Sequence, residues 1–220
     1  MNKKNLWLFF ALALIILGLA MIFFWQQIKL FKTISIKPES KPLMNAQLVY
    51  IPTDDNDPYF GNPGAPLWIV EFADFGCKKC SQINAELMAF ARTHPADVKI
   101  IWKNAPISGW ISDGSEVAHR GAYCASKQNK FWEFTSMVFA DRNNLKIDQL
   151  NKIAEGLKLN MTAWVNCVNS DTAKQKIAAD LNLAQALGVN ELPGIFVNNR
   201  QVNIPDDIVF SDMLNTFLKK

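Results

Sequence analysis

Blocks of like charge are missing from this chain: 23 lysines and arginines are spread against 20 aspartates and glutamates, for a net charge of +3. With no basic run and no aromatics interleaved with basic residues, the sequence carries no nucleic-acid footprint. Histidine is scarce, and the two present, His94 and His119, stand alone. Each reads as a surface or helix-packing residue rather than as a ligand. Cysteine is sparse too. Of four, only Cys77 and Cys80 are close in sequence, while Cys124 and Cys167 lie 43 positions apart. A closed zinc site wants a second close pair, so this spacing speaks against a metal site, although a metal-binding role for Cys77 and Cys80, such as copper delivery, stays open. Repeats and low-complexity tracts are absent as well.

What is present is apolar. Half of the 220 residues are hydrophobic, enough for one sizeable core in one or two domains. After Lys3 and Lys4, twenty positions from Leu6 to Trp25 run without a charge, a length of about 30 Å as helix. The expectation is a single N-terminal transmembrane helix, a signal anchor over residues 1–25. A cleaved signal peptide is the alternative, since Gly18 to Ala20 offers small residues at suitable spacing, but the run continues through Phe23, Phe24 and Trp25. Residues 26–46 carry Lys29, Lys32, Lys37, Pro38 and Pro42 and read as an extended tether. Those lysines favour keeping the C-terminal side inside. A large trailing domain is translocated regardless of flank charge, and an even cysteine set suits an oxidising space. The domain is therefore placed on the extracytoplasmic, periplasmic side of the cell membrane.

The folded unit is expected over residues 47–220. A short apolar stretch, "QLVYI", is expected as a first strand; the turn-rich "PTDDNDPYFGNPGAP" follows, then "LWIVEF", a strand-length apolar run. Ile83, Leu87 and Phe90 recur at helical spacing between Ser81 and Arg92, and "VKIIW" is a further strand, completing a strand–helix–strand start. From about residue 113 to 187 the pattern is helical almost throughout, and Gly188 stands where a helix should stop. "GIFVNN" then reads as a strand, "NNRQ" as a hairpin turn, and Asp206 to Leu218 as a helix with Phe210, Met213, Leu214 and Phe217 on one face.

The stretch "EFADFGCKKC" is the chemical centre of the sequence. If a helix begins at Cys77, free backbone N–H groups and the positive end of the helix dipole favour a thiolate there, and Cys80 lies one turn inward. Lys78 and Lys79 add positive charge. Glu71 sits in an apolar strand, where burial raises a carboxyl pKa toward neutrality and lets it exchange a proton with Cys80 through water. The plain alternative is a strand-end acid reaching solvent.

With the later "GVNELPGIFVNN", "AYCASKQNKFWEF" and the opening "GNPGAP", these segments resemble the DsbA family of thiol-disulfide oxidoreductases. The resemblance implies an α/β thioredoxin fold with an inserted helical subdomain. It implies that Cys77 attacks, Cys80 resolves and Glu71 is the buried acid. Pro193 would match the family's cis proline, with the backbone of Leu192 pairing with substrate; a trans proline opening a strand is the alternative. Cys124 and Cys167 would form a second, structural disulfide worth roughly 3 to 5 kcal/mol, or else remain buried free thiols.

The sequence departs from the family's strong oxidants at Lys78, Lys79 and Leu192, positions that tune redox potential and substrate choice. By the resemblance, the expected activity is introduction of disulfides into exported proteins with free cysteines. No organic cofactor is implied, and a quinone-linked membrane protein of the DsbB type would reoxidise the pair. Isomerase or reductase activity on the same fold is the alternative, as is a noncatalytic binding module.

Overall fold

A computed structural model describes residues 14–26, 47–106, 115–204 and 210–218. The chain divides into two compact units, Met1–Lys41 and Pro42–Lys220. In the first, residues 14–26 are helical, with exposed apolar side chains such as Ile16, Phe23 and Trp25. Residues 6–13 of the apolar run lie outside the described residues, as does the tether at residues 27–46. Among the described residues, no helix is long and apolar enough to cross a membrane.

The second unit, whose elements are numbered from its start, is built on a five-stranded sheet. Its strands are β1 (Tyr59–Gly61), β2 (Leu67–Ala73), β3 (Val98–Asn104), β4 (Gly194–Val197) and β5 (Arg200–Val202), in the order β1-β3-β2-β4-β5. Helix α1 (Lys78–Thr93) connects β2 to β3, which pair in parallel, and every other pairing is antiparallel. Among the described residues, five helices separate β3 from β4: α2 (Ser115–Ser126), α3 (Phe131–Ala140), α4 (Ile147–Gly156), α5 (Met161–Val168) and α6 (Asp171–Ala186). Helix α7 (Phe210–Leu218) follows β5.

The alternation of a strand explains the layers. Ile69, Ile100, Ile195 and Val197 face α1 and α7, where they pack with Leu87, Phe90, Phe210 and Leu214. Val70, Phe72, Ile101 and Phe196 face the other way, toward Ala184 on α6. Both faces of β2 are thus covered, which is why "LWIVEF" reads as a continuous apolar run. A third cluster gathers Phe75, Trp102, Ala122, Phe134, Leu150 and Trp164, so the inserted helices have a core of their own that reaches the ends of β2 and β3. The hairpin between β4 and β5 turns on Asn198 and Asn199, both at positive φ (46° and 66°), as a two-residue turn of the primed kind requires.

The first strand differs from the sequence expectation. "QLVYI" forms no ladder: Leu48 and Tyr50 are exposed, Ile51 is buried, and Val49 donates its N–H to the Asn199 carbonyl at 2.9 Å. The strand lies instead in the turn-rich stretch, where Tyr59–Gly61 runs antiparallel to Lys99–Ile101. Three residues are too few to show a period of two. Gly61 closes this strand at φ 93°, and a side chain there would collide with the Val98 carbonyl.

Cys124 on α2 and Cys167 on α5 are bonded, with Cα atoms 5.7 Å apart. The bond spans 43 residues, so in the chain-entropy model it restricts the unfolded state by about 4 kcal/mol. The Cys124→Ala/Cys167→Ala protein is expected to lose about that much in urea unfolding; a loss below about 1 kcal/mol would refute the estimate.

Candidate active site

The end of β2 turns directly into α1. The Cys77 N–H donates to the Asp74 carbonyl at 3.2 Å, and the Gly76 N–H donates to Asp74 Oδ1 at 3.2 Å. This turn delivers Cys77 as the N-cap of α1, with extended backbone (φ −80°, ψ 120°). Its sulfur accepts the Cys80 N–H at 3.0 Å. A sulfur that takes one of the helix's free N–H groups is placed where negative charge is favoured.

Cys77 and Cys80 are disulfide-bonded, with Cα atoms 5.2 Å apart. Their surroundings differ: Cys77 is half-buried, whereas Cys80 has no exposed surface. Facing them is the strand entry of β4. Its antiparallel register on β2 sets Phe72 opposite Gly194, which brings the preceding Leu192 carbonyl to 3.9 Å from Cys77 Sγ. The Leu192–Pro193 peptide is cis. Lys78 is exposed, and Lys79 is half-buried with its ammonium donating to the Ile204 carbonyl at 3.4 Å.

Glu71 is fully buried in β2 between Trp102 on β3 and Ile195 on β4. Asn84, one helical turn after Cys80, donates its side-chain N–H to Glu71 Oε2 at 2.7 Å. Glu71 Oε1 is buried and has no hydrogen-bond partner among the described residues. Burial pushes the carboxyl pKa up to about 8, against the opposing pull of the Asn84 hydrogen bond. Glu71 is therefore a protonated acid at neutral pH, set under the helix that carries the cysteines.

Three buried polar residues near the site, Asn84, Asp74 and Asn104, escape sequence reading, and a fourth, His119, reads in the sequence only as a surface or helix-packing residue, of which the packing reading fits. Asn84 leaves a trace, a polar residue on the buried stripe of α1 beside Ile83 and Leu87. His119 on α2 packs against Phe75 and Trp102 and hydrogen-bonds through both ring nitrogens. His94 closes α1, its N–H donating to the Phe90 carbonyl. Among the described residues, no three His, Cys, Asp or Glu side chains converge as a metal-ligand set.

A β-α-β unit, a Cys-x-x-Cys disulfide at the helix start and a facing antiparallel hairpin entered through a cis proline together define a thioredoxin fold, here with helices α2 to α6 inserted. The thioredoxin family model matches residues 53–216, and the chain belongs to that family. Among curated proteins it is similar to the Na(+)/H(+) antiporter NhaA 3 of Salinispora tropica, with 28% identity over 159 residues, 72% of this chain and 24% of that protein. The chain thus spans about a quarter of the length of the antiporters it matches. It is also similar to the probable disulfide bond formation protein D of Bacillus cereus, 27% identical over 173 residues, 73% of this chain and 78% of that protein. Among solved structures, a thioredoxin-like oxidoreductase from Silicibacter pomeroyi superposes with a TM-score of 0.66 at 26% identity, over 76% of this chain and 92% of that one. Oxidised BdbD from Bacillus subtilis does so at 0.65 and 21% identity, over 80% and 98%.

Proposed function

We propose that this chain is a protein thiol-disulfide oxidoreductase that introduces disulfides into exported proteins through Cys77 and Cys80. The observation that carries the reading is a disulfide with one accessible sulfur at a helix start and one buried sulfur behind it. A substrate thiolate attacks Cys77 Sγ, the Cys77–Cys80 bond breaks, and Cys80 leaves as a thiolate that takes up a proton. Glu71, a neutral acid about pH 7, is placed to supply that proton through water as the pair opens and to take it back as it closes. The second substrate thiolate then attacks its own partner sulfur in the mixed disulfide, and Cys77 leaves as the second thiolate. Two electrons have passed from substrate to enzyme, which ends as the Cys80 thiol and the Cys77 thiolate; the protons given up as the substrate thiols ionised go to solvent, from which Glu71 regains the one it supplied.

Leu192, whose carbonyl faces Cys77, is assigned to pairing with the substrate backbone, and Lys78 and Lys79 to biasing the thiolate. Regeneration requires an oxidant, and a quinone-linked membrane protein fits an enzyme held at the membrane. The uncharged run from Leu6 to Trp25 supports that anchoring. The full chain should then sediment with membranes and resist alkaline extraction; recovery in the soluble fraction would refute the anchor.

Direction is tested by equilibrating the protein in glutathione buffers and by mixing it with a reduced two-cysteine peptide. An oxidase should hold a potential above about −200 mV and transfer its disulfide to the peptide in one turnover. A potential near about −270 mV, with reduction of peptide disulfides instead, would assign the site to a reductase.

A further inference from the structure

Asn84 lies on the buried stripe of α1 with Cys80, Ile83 and Leu87, one helical turn after Cys80. An amide there costs stability unless a partner satisfies it. Its partner is Glu71, 13 positions away on β2 and fully buried. The helix that carries the second sulfur thus also carries a side chain that holds the buried acid.

The two oxygens of that acid differ. Oε2 accepts the Asn84 Nδ2–H at 2.7 Å, while Oε1 is buried and, among the described residues, has no hydrogen-bond partner. In a neutral carboxyl group the carbonyl oxygen is the better acceptor, so the donated bond makes Oε2 the carbonyl and sets the hydroxyl on Oε1. A donor also holds a carboxylate more strongly than a neutral acid. Burial is the larger influence on Glu71 and raises its pKa to about 8, and the Asn84 bond pulls the other way. The acid is left near the ordinary thiol value of about 8.5, where a proton passes between carboxyl and thiol at little cost.

Other ionisable groups nearby are turned elsewhere. Across the ladder Glu71 meets Trp102 and Ile195. Lys103, the next residue of β3, points to the opposite face of the sheet and pairs with Asp57. On α1, Glu86 accepts the Phe210 N–H of α7 and Lys79 donates to the Ile204 carbonyl. Asp212 of α7 is exposed, and Asp74 and His119 face one another past the end of β2. Cys80 is the ionisable residue that shares the buried stripe with Asn84.

We propose that Asn84 is a positioning residue for the proton of Glu71: by donating to Oε2 it fixes that oxygen as the acceptor, leaves Oε1 to carry and exchange the hydrogen, and eases its release. The inference rests on the dithiol reading above. In the adduct of Cys77 with glutathione, the Glu71 carboxylate takes the proton of the Cys80 thiol through water. The Cys80 thiolate then attacks Cys77 Sγ, the Cys77–Cys80 bond forms, and glutathione leaves as its thiolate.

Asn84→Leu keeps the shape of the side chain and removes the donor. In the disulfide form, where neither cysteine titrates, carbon NMR should find the midpoint of the Glu71 carboxyl about one unit above that of the parent. Closure of the adduct, followed in a single turnover of reduced protein with oxidised glutathione, should slow by about threefold to tenfold at pH 7. The same substitution in a Glu71→Gln background should not slow it further, whereas a packing defect would. A midpoint that stays or falls, or a loss of rate that persists without Glu71, would overturn the proposal. Should Asn84→Leu not fold, the parent decides: its Asn84 amide hydrogens should move downfield with the Glu71 midpoint, and an amide indifferent to that titration would refute it. A parent whose Glu71 and Asn84 signals titrate together but which exchanges no disulfide with glutathione would sink the dithiol reading itself, and the role of Asn84 with it.

Discussion

Cys77→Ser is expected to reduce disulfide transfer to the uncatalysed background, because an alcohol can neither hold the disulfide nor attack one at neutral pH. Cys80→Ser should behave differently. Its Cys77 thiol, half-buried at the start of α1 with the Cys80 N–H beside it, still reacts with a mixed or substrate disulfide, but no second sulfur stands behind it to release the adduct. Substrate-linked species should accumulate on non-reducing gels and disappear with dithiothreitol. Alkylation of the reduced parent should label Cys77 well before Cys80, since Cys80 has no exposed surface. Equal turnover by the two serine variants, or equal labelling of the two thiols, would remove the basis for distinct attacking and resolving roles.

A comparably large effect is expected from Glu71, read as stability against pH. Its carboxyl titrates at about 8 in the fold, against 4.5 as its ordinary value. Below pH 4.5 folded and unfolded chains both hold the proton, so the group has no pH-dependent effect there. Between those two values the unfolded chain has released the proton and the folded one retains it, so stability falls by about 1.4 kcal/mol per pH unit. Summed over the interval, the decline is about 5 kcal/mol, and it levels off above pH 8, where the folded form also ionises. Urea unfolding of the parent and of Glu71→Gln from pH 4 to pH 9 isolates this contribution as the difference between two curves. A difference that stays flat with pH would show that Glu71 is ionised in the folded protein.

The sequence pattern was informative wherever burial and periodicity coincide. "LWIVEF" is covered on both faces and reads as an apolar run, with Glu71 conspicuous inside it; the helix after Cys77 follows from its apolar stripe, and the hairpin from Asn198 and Asn199. Elements held by hydrogen bonds rather than by apolar contact left little trace. β1 is three residues long and ends on a glycine, so composition pointed to turns. His119 looks like any polar residue of a helix, and only the fold sets it between Asn104 and Asp74, which lie 15 and 45 residues away in the chain. Asn84 falls within an apolar stripe, where one amide does not change the helical pattern, and its partner lies on another element.

The borders of the sheet have a bearing on the company such a protein keeps. Its two outermost strands, Tyr59–Gly61 and Arg200–Val202, are only three residues each, and one of them stops at a glycine no other residue could replace without a clash. Unfinished polypeptides carry many unsatisfied backbone groups and will zip onto any long, flat rim they meet. Among the described residues the sheet gives them almost no rim to join, so under the proposed activity a client engaged through sulfur would be free to depart once its bond has been exchanged.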